Sequence, residues 1–94
     1  MIEWSERAEW QLDRLHDFIA WSNGQEIADR IAMQIIASVD RLAAFPMSGR
    51  PGRVRCTREL VIANTPYVAA YEIQKARIYI LAIYHGAQRW PEVF

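Results

Sequence analysis

The hydrophobic pattern of the chain changes period near its middle. From Ala8 to Leu42 apolar residues return every three or four positions, first Ala8, Leu12, Leu15 and Ile19, then Ala28, Ile31, Ile35, Val39 and Leu42. That is the repeat of two amphipathic helices, each with one buried stripe. Ser5 supplies an N-cap for the first, and Glu6 and Glu9 fall in the first turn, where carboxylates meet the positive end of the helix dipole. The first helix is predicted to end at about Trp21, with Asn23 and Gly24 as punctuation, and the second to end before Pro46. A connection of two to four residues makes the pair an antiparallel hairpin whose stripes need cover.

The second half provides that cover. Arg58–Ala63, Tyr67–Gln74 and Arg77–His85 are rich in Val, Ile and Tyr and read as three strands. The first two are separated by Asn64, Thr65 and Pro66, the last two by Lys75 and Ala76, so consecutive antiparallel pairing is the economical topology. Met1–Trp4 is expected to add an edge strand. The fold class is therefore α+β in the order β-α-α-β-β-β, a helix hairpin packed on a three- to four-stranded, mainly antiparallel sheet. With 94 residues, of which 52% are hydrophobic, the chain suits one compact domain over residues 1–94. The opening residues lack the basic flank and apolar run of a signal peptide and no apolar run is long enough for a bilayer, so a cytoplasmic protein with no membrane partner is expected. A single cysteine, Cys56, precludes an internal disulfide, and His16 and His85 alone offer no metal-ligand spacing; no metal or cofactor is expected.

Formal net charge is zero, but its distribution is not even. Residues 1–40 carry eight acidic and three basic side chains, a net charge of −5, and residues 41–94 invert this to +5. Much of the positive charge is concentrated between Phe45 and Leu60, where Arg50, Arg53, Arg55 and Arg58 fall within nine residues. Pro46, Gly49, Pro51 and Gly52 in the same stretch are expected to break helix and strand, so the cations sit on a loop that meets something anionic.

Several segments, taken in order, resemble the RelE/ParE toxin superfamily of bacterial toxin-antitoxin modules. They are a short strand leading into Ser5, Phe45-Pro46 closing the second helix, Gly49-Arg50-Pro51-Gly52-Arg53 followed by Thr57-Arg58-Glu59-Leu60-Val61, Pro66-Tyr67 with Tyr71, and His85-Gly86-Ala87 with Trp90-Pro91. The resemblance implies a growth-inhibiting toxin neutralised by an antitoxin encoded beside it. It also implies one of two activities: cleavage of messenger RNA in the ribosome, or interference with DNA gyrase.

Ribonuclease chemistry needs a base for the 2′-hydroxyl, an acid for the leaving oxygen and cations for the phosphorane, and the candidates are His85, Tyr84, Arg58, Arg53 and Arg89. His85 and Tyr84 end the last strand and Arg58 opens the strand after the basic loop, so convergence on one sheet face is the expectation. The nuclease branch, however, typically carries Lys or Arg on its middle strands, where this chain has Val68, Ala69 and Ala70. The Gly49–Arg53 loop and the His85-Gly86-Ala87 ending most resemble the ParE-like branch. Gyrase interference without enzymatic chemistry is thus the favoured reading, with mRNA cleavage as the alternative and a non-toxic, antitoxin-binding relic as a third. Partner contacts are assigned to Arg50, Arg53, Arg55, Arg58, Arg89 and Trp90. A sheet with helices on one face leaves its other face and an edge to be filled by an acidic, amphipathic antitoxin segment.

The remaining chemistry-bearing residues have plainer readings. His16 lies off the apolar stripe with Asp13 and Asp17 and is expected to be ordinary surface. Trp4 and Trp10 are expected to pack at the strand–helix junction and Trp21 to close the first helix, with core as the default for all three, and Trp90 to lock the tail against the hairpin or be covered by the antitoxin. Cys56 has no paired base that would make it a nucleophile.

Overall fold

The computed structural model of the protein describes residues 1–87. Strand β1 (Ile2–Trp4) leads through Ser5 into helix α1 (Glu6–Asn23), then helix α2 (Gln25–Asp40) with a 3₁₀ turn at Arg41–Ala43. Strands β2 (Arg50–Pro51), β3 (Arg58–Val61), β4 (Tyr67–Gln74) and β5 (Arg77–His85) follow. The sheet order is β1-β5-β4-β3-β2, with β1 parallel to β5 and every other pair antiparallel.

Both long strands have the expected bounds, and the sheet has one more strand than expected. Pro51 does pair, opposite Arg58, and a proline is tolerated there because β2 is the edge. Strand β3 stops at Val61, two residues early, where Asn64 takes a left-handed φ of 63° and Thr65 accepts from the Tyr67 amide. Helix α1 runs on to Asn23, and the helix connection shrinks to Gly24, whose φ of 100° only glycine adopts without strain.

The core lies between the helix pair and one sheet face. Ala8, Ile19, Ala28, Ile35, Val39 and Leu42 come from the helical layer, and Ile62, Tyr67, Ala69, Tyr71, Ile78, Ile80 and Ile83 from below it. A register shift between Ala70 and Tyr71 leaves Leu81 as an extra residue in β5. Beyond the three-residue β1, the exposed edge of β5 is completed by the helix: the Ser5 hydroxyl donates to Leu81 O at 3.0 Å while capping the Ala8 amide, and Gln11 Oε1 accepts from Ile83 N at 2.8 Å. These bonds fix α1 against the strand it packs on.

Three expectations need correction. Trp10 and Trp21 are not core residues; they are 59% and 85% exposed, because they lie on the side of α1 opposite Ala8, Leu12 and Ile19. Of the three described tryptophans only Trp4 packs against the core. His16 is not ordinary surface, since its Nε2 meets Asp29 Oδ1 at 2.7 Å and links α1 to α2, with Gln25 donating to the same oxygen. The sheet face away from the helices is not simply open either, for Val68, Ala70, Ala82 and Tyr84 on it are all buried.

Candidate functional site

The basic segment is an ordered β-hairpin braced from three sides. Its closure begins at the tip: Gly52 N donates to Thr57 O at 2.8 Å, and the Thr57 amide and hydroxyl both donate to Val54 O. Cys56 takes the left-handed φ of 66° that the turn requires. A Cβ on Gly52 would overlap the Thr57 hydroxyl, so this close approach is open only to glycine.

Tyr71 is the first brace. It is fully buried mid-strand in β4, and its hydroxyl accepts from Gly49 N at 2.9 Å and donates to Pro46 O at 2.7 Å. A Cβ on Gly49 would come within 2.6 Å of that hydroxyl and 2.9 Å of Glu59 O. Glu59 is the second. Only 2% exposed, it accepts from Arg50 Nε and Nη2 on one carboxylate oxygen, at 3.1 and 3.0 Å, and from the Arg53 amide on the other, at 2.8 Å. A buried carboxylate is stable only with such a set of donors. Arg58, on the other face of β3, is the third: its guanidinium donates to Gly49 O at 3.0 and 2.6 Å and to Met47 O at 3.2 Å.

The four loop arginines therefore divide. Arg50 and Arg58 build the hairpin, and Arg53 and Arg55 lie at its tip, both exposed. A shallow hollow of about 500 Å³ runs along the hairpin flank, with Met47 and Ile73 as apolar wall and Arg58 and Cys56 beside them. Exposed Met47 gives the basic surface an apolar neighbour.

The proposed nucleolytic set is dispersed. Tyr84 pairs with Val68 and His85 with Tyr67, so adjacent side chains point to opposite faces of the sheet. Arg58 shares the His85 face but pairs with Tyr71, four residues along β4 from Tyr67, about 13 Å at the usual rise per residue. His85 is exposed; its ring stands edge-on to Tyr67 with centroids 5.6 Å apart, and its Nδ1 accepts from the Ala87 amide at 3.1 Å. That bond fixes the tautomer with the proton on Nε2 when the ring is neutral. Burial pushes the Tyr84 phenol above its ordinary value of 10.0, with the Arg7 guanidinium pulling the other way. A neutral phenol is a poor base. Arg89 and Trp90 lie outside the described residues.

Two of the braces escape a reading of charge alone. Glu59 is adjacent to Arg58 and looks like its surface partner, yet alternation sends the two side chains to opposite faces. Tyr71 carries the one available signal, a mid-strand tyrosine whose buried hydroxyl must find partners.

The sequence and the fold both have counterparts among known proteins. A family model described as "ParE toxin of type II toxin-antitoxin system, parDE" matches residues 2–90. The protein Y4kP of Sinorhizobium fredii is 41% identical over 92 residues, covering 98% of this chain and 94% of that protein. Toxin RelE2 of Caulobacter vibrioides is 31% identical over 87 residues, covering 93% and 96% respectively. Among solved structures, a chain of the chromosomal ParDE TA system from P. aeruginosa matches with a TM-score of 0.82 and 28% identity over 89% of this chain and 92% of its own length. With fold and sequence agreeing over nearly the whole length, the chain belongs to the ParE toxin family of type II toxin-antitoxin systems.

Proposed function

We propose that the protein arrests growth by presenting the braced arginine hairpin to DNA gyrase, and that a cognate antitoxin neutralises it by covering the same hairpin. The observation that carries the reading is the contrast between the two candidate sites. Three braces hold the hairpin so that the exposed Arg53 and Arg55 sit on a fixed backbone, an arrangement suited to docking on a large partner. The acid–base candidates, by comparison, are split between two faces and separated along the sheet. An antitoxin segment fits the flank if it brings apolar side chains to Met47 and Ile73 and carboxylates to Arg53, Arg55 and Arg58. Arg50 adds less, because Glu59 already neutralises it.

The test is to induce the protein alone in bacteria and follow labelled thymidine and labelled methionine incorporation over the first minutes. Thymidine incorporation is expected to fall first, and the Arg53→Glu/Arg55→Glu protein, folded by circular dichroism, is expected to leave both unchanged. An earlier fall in methionine would move the function to mRNA cleavage. Loss of neither would mark an inactive, antitoxin-binding protein.

A further inference from the structure

Helix α1 carries a second surface that owes nothing to the hairpin. Trp10, Phe18 and Trp21 are 59%, 63% and 85% exposed. Their spacing of eight and three residues places them in one band on the outward side of the helix, with Arg14 in the same row, its guanidinium 4.9 Å from the Trp10 ring centroid. Three large aromatic side chains in water on one short helix are far from what solubility favours, and apolar patches of this kind rimmed by polar groups mark interaction sites.

The rim gives the chemistry of the partner. Glu6, Asp13 and Asp17 run along one side of the band with Glu9 just behind them. Among the described residues Glu6, Glu9 and Asp13 make no ion pair, and Asp17 has only His16 at 4.0 Å. Neither base of α1 pairs with this row: the Arg7 guanidinium lies near the Tyr84 phenol and Arg14 lies over Trp10. An aromatic band beside an uncompensated row of carboxylates complements apolar side chains flanked by cations.

Other occupants fit less well. Two copies of α1 packed antiparallel about a twofold axis would bring the carboxylate rows of both together, and an anionic lipid surface would be repelled by the same row. We infer that the Trp10–Phe18–Trp21 face of α1 is a docking surface for a cationic amphipathic helix of a partner protein. Its apolar side chains lie across the three aromatics and its Lys or Arg side chains reach Asp13 and Asp17. From Trp10 to Trp21 the band spans eleven helical rises, about 16 Å of helix axis, which three turns of a partner helix match.

The probe is a pair of synthetic 18-residue amphipathic helices, one with leucines flanked by lysines and the other with leucines flanked by glutamates. They are titrated into the folded protein while its backbone amide NMR signals are followed. The lysine peptide is expected to shift signals of Trp10–Trp21, to bind more weakly as salt rises, and to lose about tenfold or more in affinity to Phe18→Ala/Trp21→Ala. The Asp13→Asn/Asp17→Asn protein, which keeps the aromatics, is expected to bind weakly and to lose the salt dependence. Equal binding of both peptides, shifts confined to the arginine hairpin, or no binding would overturn the inference. So would a concentration-dependent dimer whose interface is α1, or partition of α1 into phosphatidylcholine vesicles. None of these outcomes depends on whether gyrase is the target.

Discussion

Replacing Tyr71 by phenylalanine removes one oxygen from a fully buried ring and leaves the ring's packing in place. The Gly49 amide and the Pro46 carbonyl then both lose their partner, at 2.9 and 2.7 Å in the parent. Gly49 is itself buried, so water replaces the hydroxyl poorly there. A buried group left unsatisfied costs about 1–3 kcal/mol; for two groups, one of them at the loop surface, the loss is roughly 2–4 kcal/mol. In a domain of this size each kcal/mol lowers the melting temperature by about 4–8 °C, so a fall of more than about 10 °C is expected. Urea denaturation followed by tryptophan fluorescence measures the free energy, and an unchanged m-value would show that the loss belongs to the folded state. Tyr79→Phe is the control, since Tyr79 is half-buried and its hydroxyl makes no hydrogen bond among the described residues. Hydrogen exchange adds the local readout, with the Gly49 amide expected to lose protection in Tyr71→Phe. A loss below about 1 kcal/mol, or one matched by Tyr79→Phe, would refute the idea that this hydroxyl holds the hairpin.

Three further outcomes follow from the geometry. Lys75 and Ala76 form the β4–β5 turn with φ of 49° and 66°, so Ala76→Gly should raise stability by about 0.5–1 kcal/mol in the same urea assay. The His16 and Gln25 contacts hold the Asp29 carboxyl below its ordinary 3.8, so it binds its proton less readily folded than unfolded. Its contribution is present above pH 3.8 and lost as pH falls further, and Asp29→Asn should flatten that limb of the acid unfolding curve. Burial raises the Tyr67 and Tyr84 phenols above 10.0, so their stabilising effect is complete below that pH and lost as pH rises through the higher folded values. Absorbance at alkaline pH should show these two ionising after an ordinary phenol would, and Tyr67→Phe should remove one late step.

The sequence was most readable where one local rule acted alone. The bounds of β4 and β5 were legible because β-branched and aromatic residues run up to the two-residue break at Lys75-Ala76. The helix stripes were legible for the same reason. What misled was treating residue type as position: Trp10 and Trp21 look like core by size, but their angle around α1 faces them away from Ala8 and Leu12. At the candidate site the sequence located the cations and missed the braces. Arg58 and Glu59 are neighbours in sequence and act on opposite faces, and Tyr71 reaches across from a strand more than twenty positions after Pro46. Strand β2 was hidden by its own punctuation, since Pro51 and Gly52 argue against a strand except at an edge.

The parallel pairing of β1 with β5 also sets a timetable. The bond from Ser5 to Leu81 spans 76 residues of sequence, and Ile2, Glu3 and Trp4 find their partners only on β5. A nascent chain can form and cap the helix hairpin early, since those contacts are local, but it cannot seat its first strand or tie Ser5 to Leu81 until β5 has emerged. The hairpin's own brace from β4 is likewise late. The hairpin can thus close through the local bonds of Glu59 and Arg58 first, and the buried Tyr71 hydroxyl locks Pro46 and Gly49 in place only after β4 has been made.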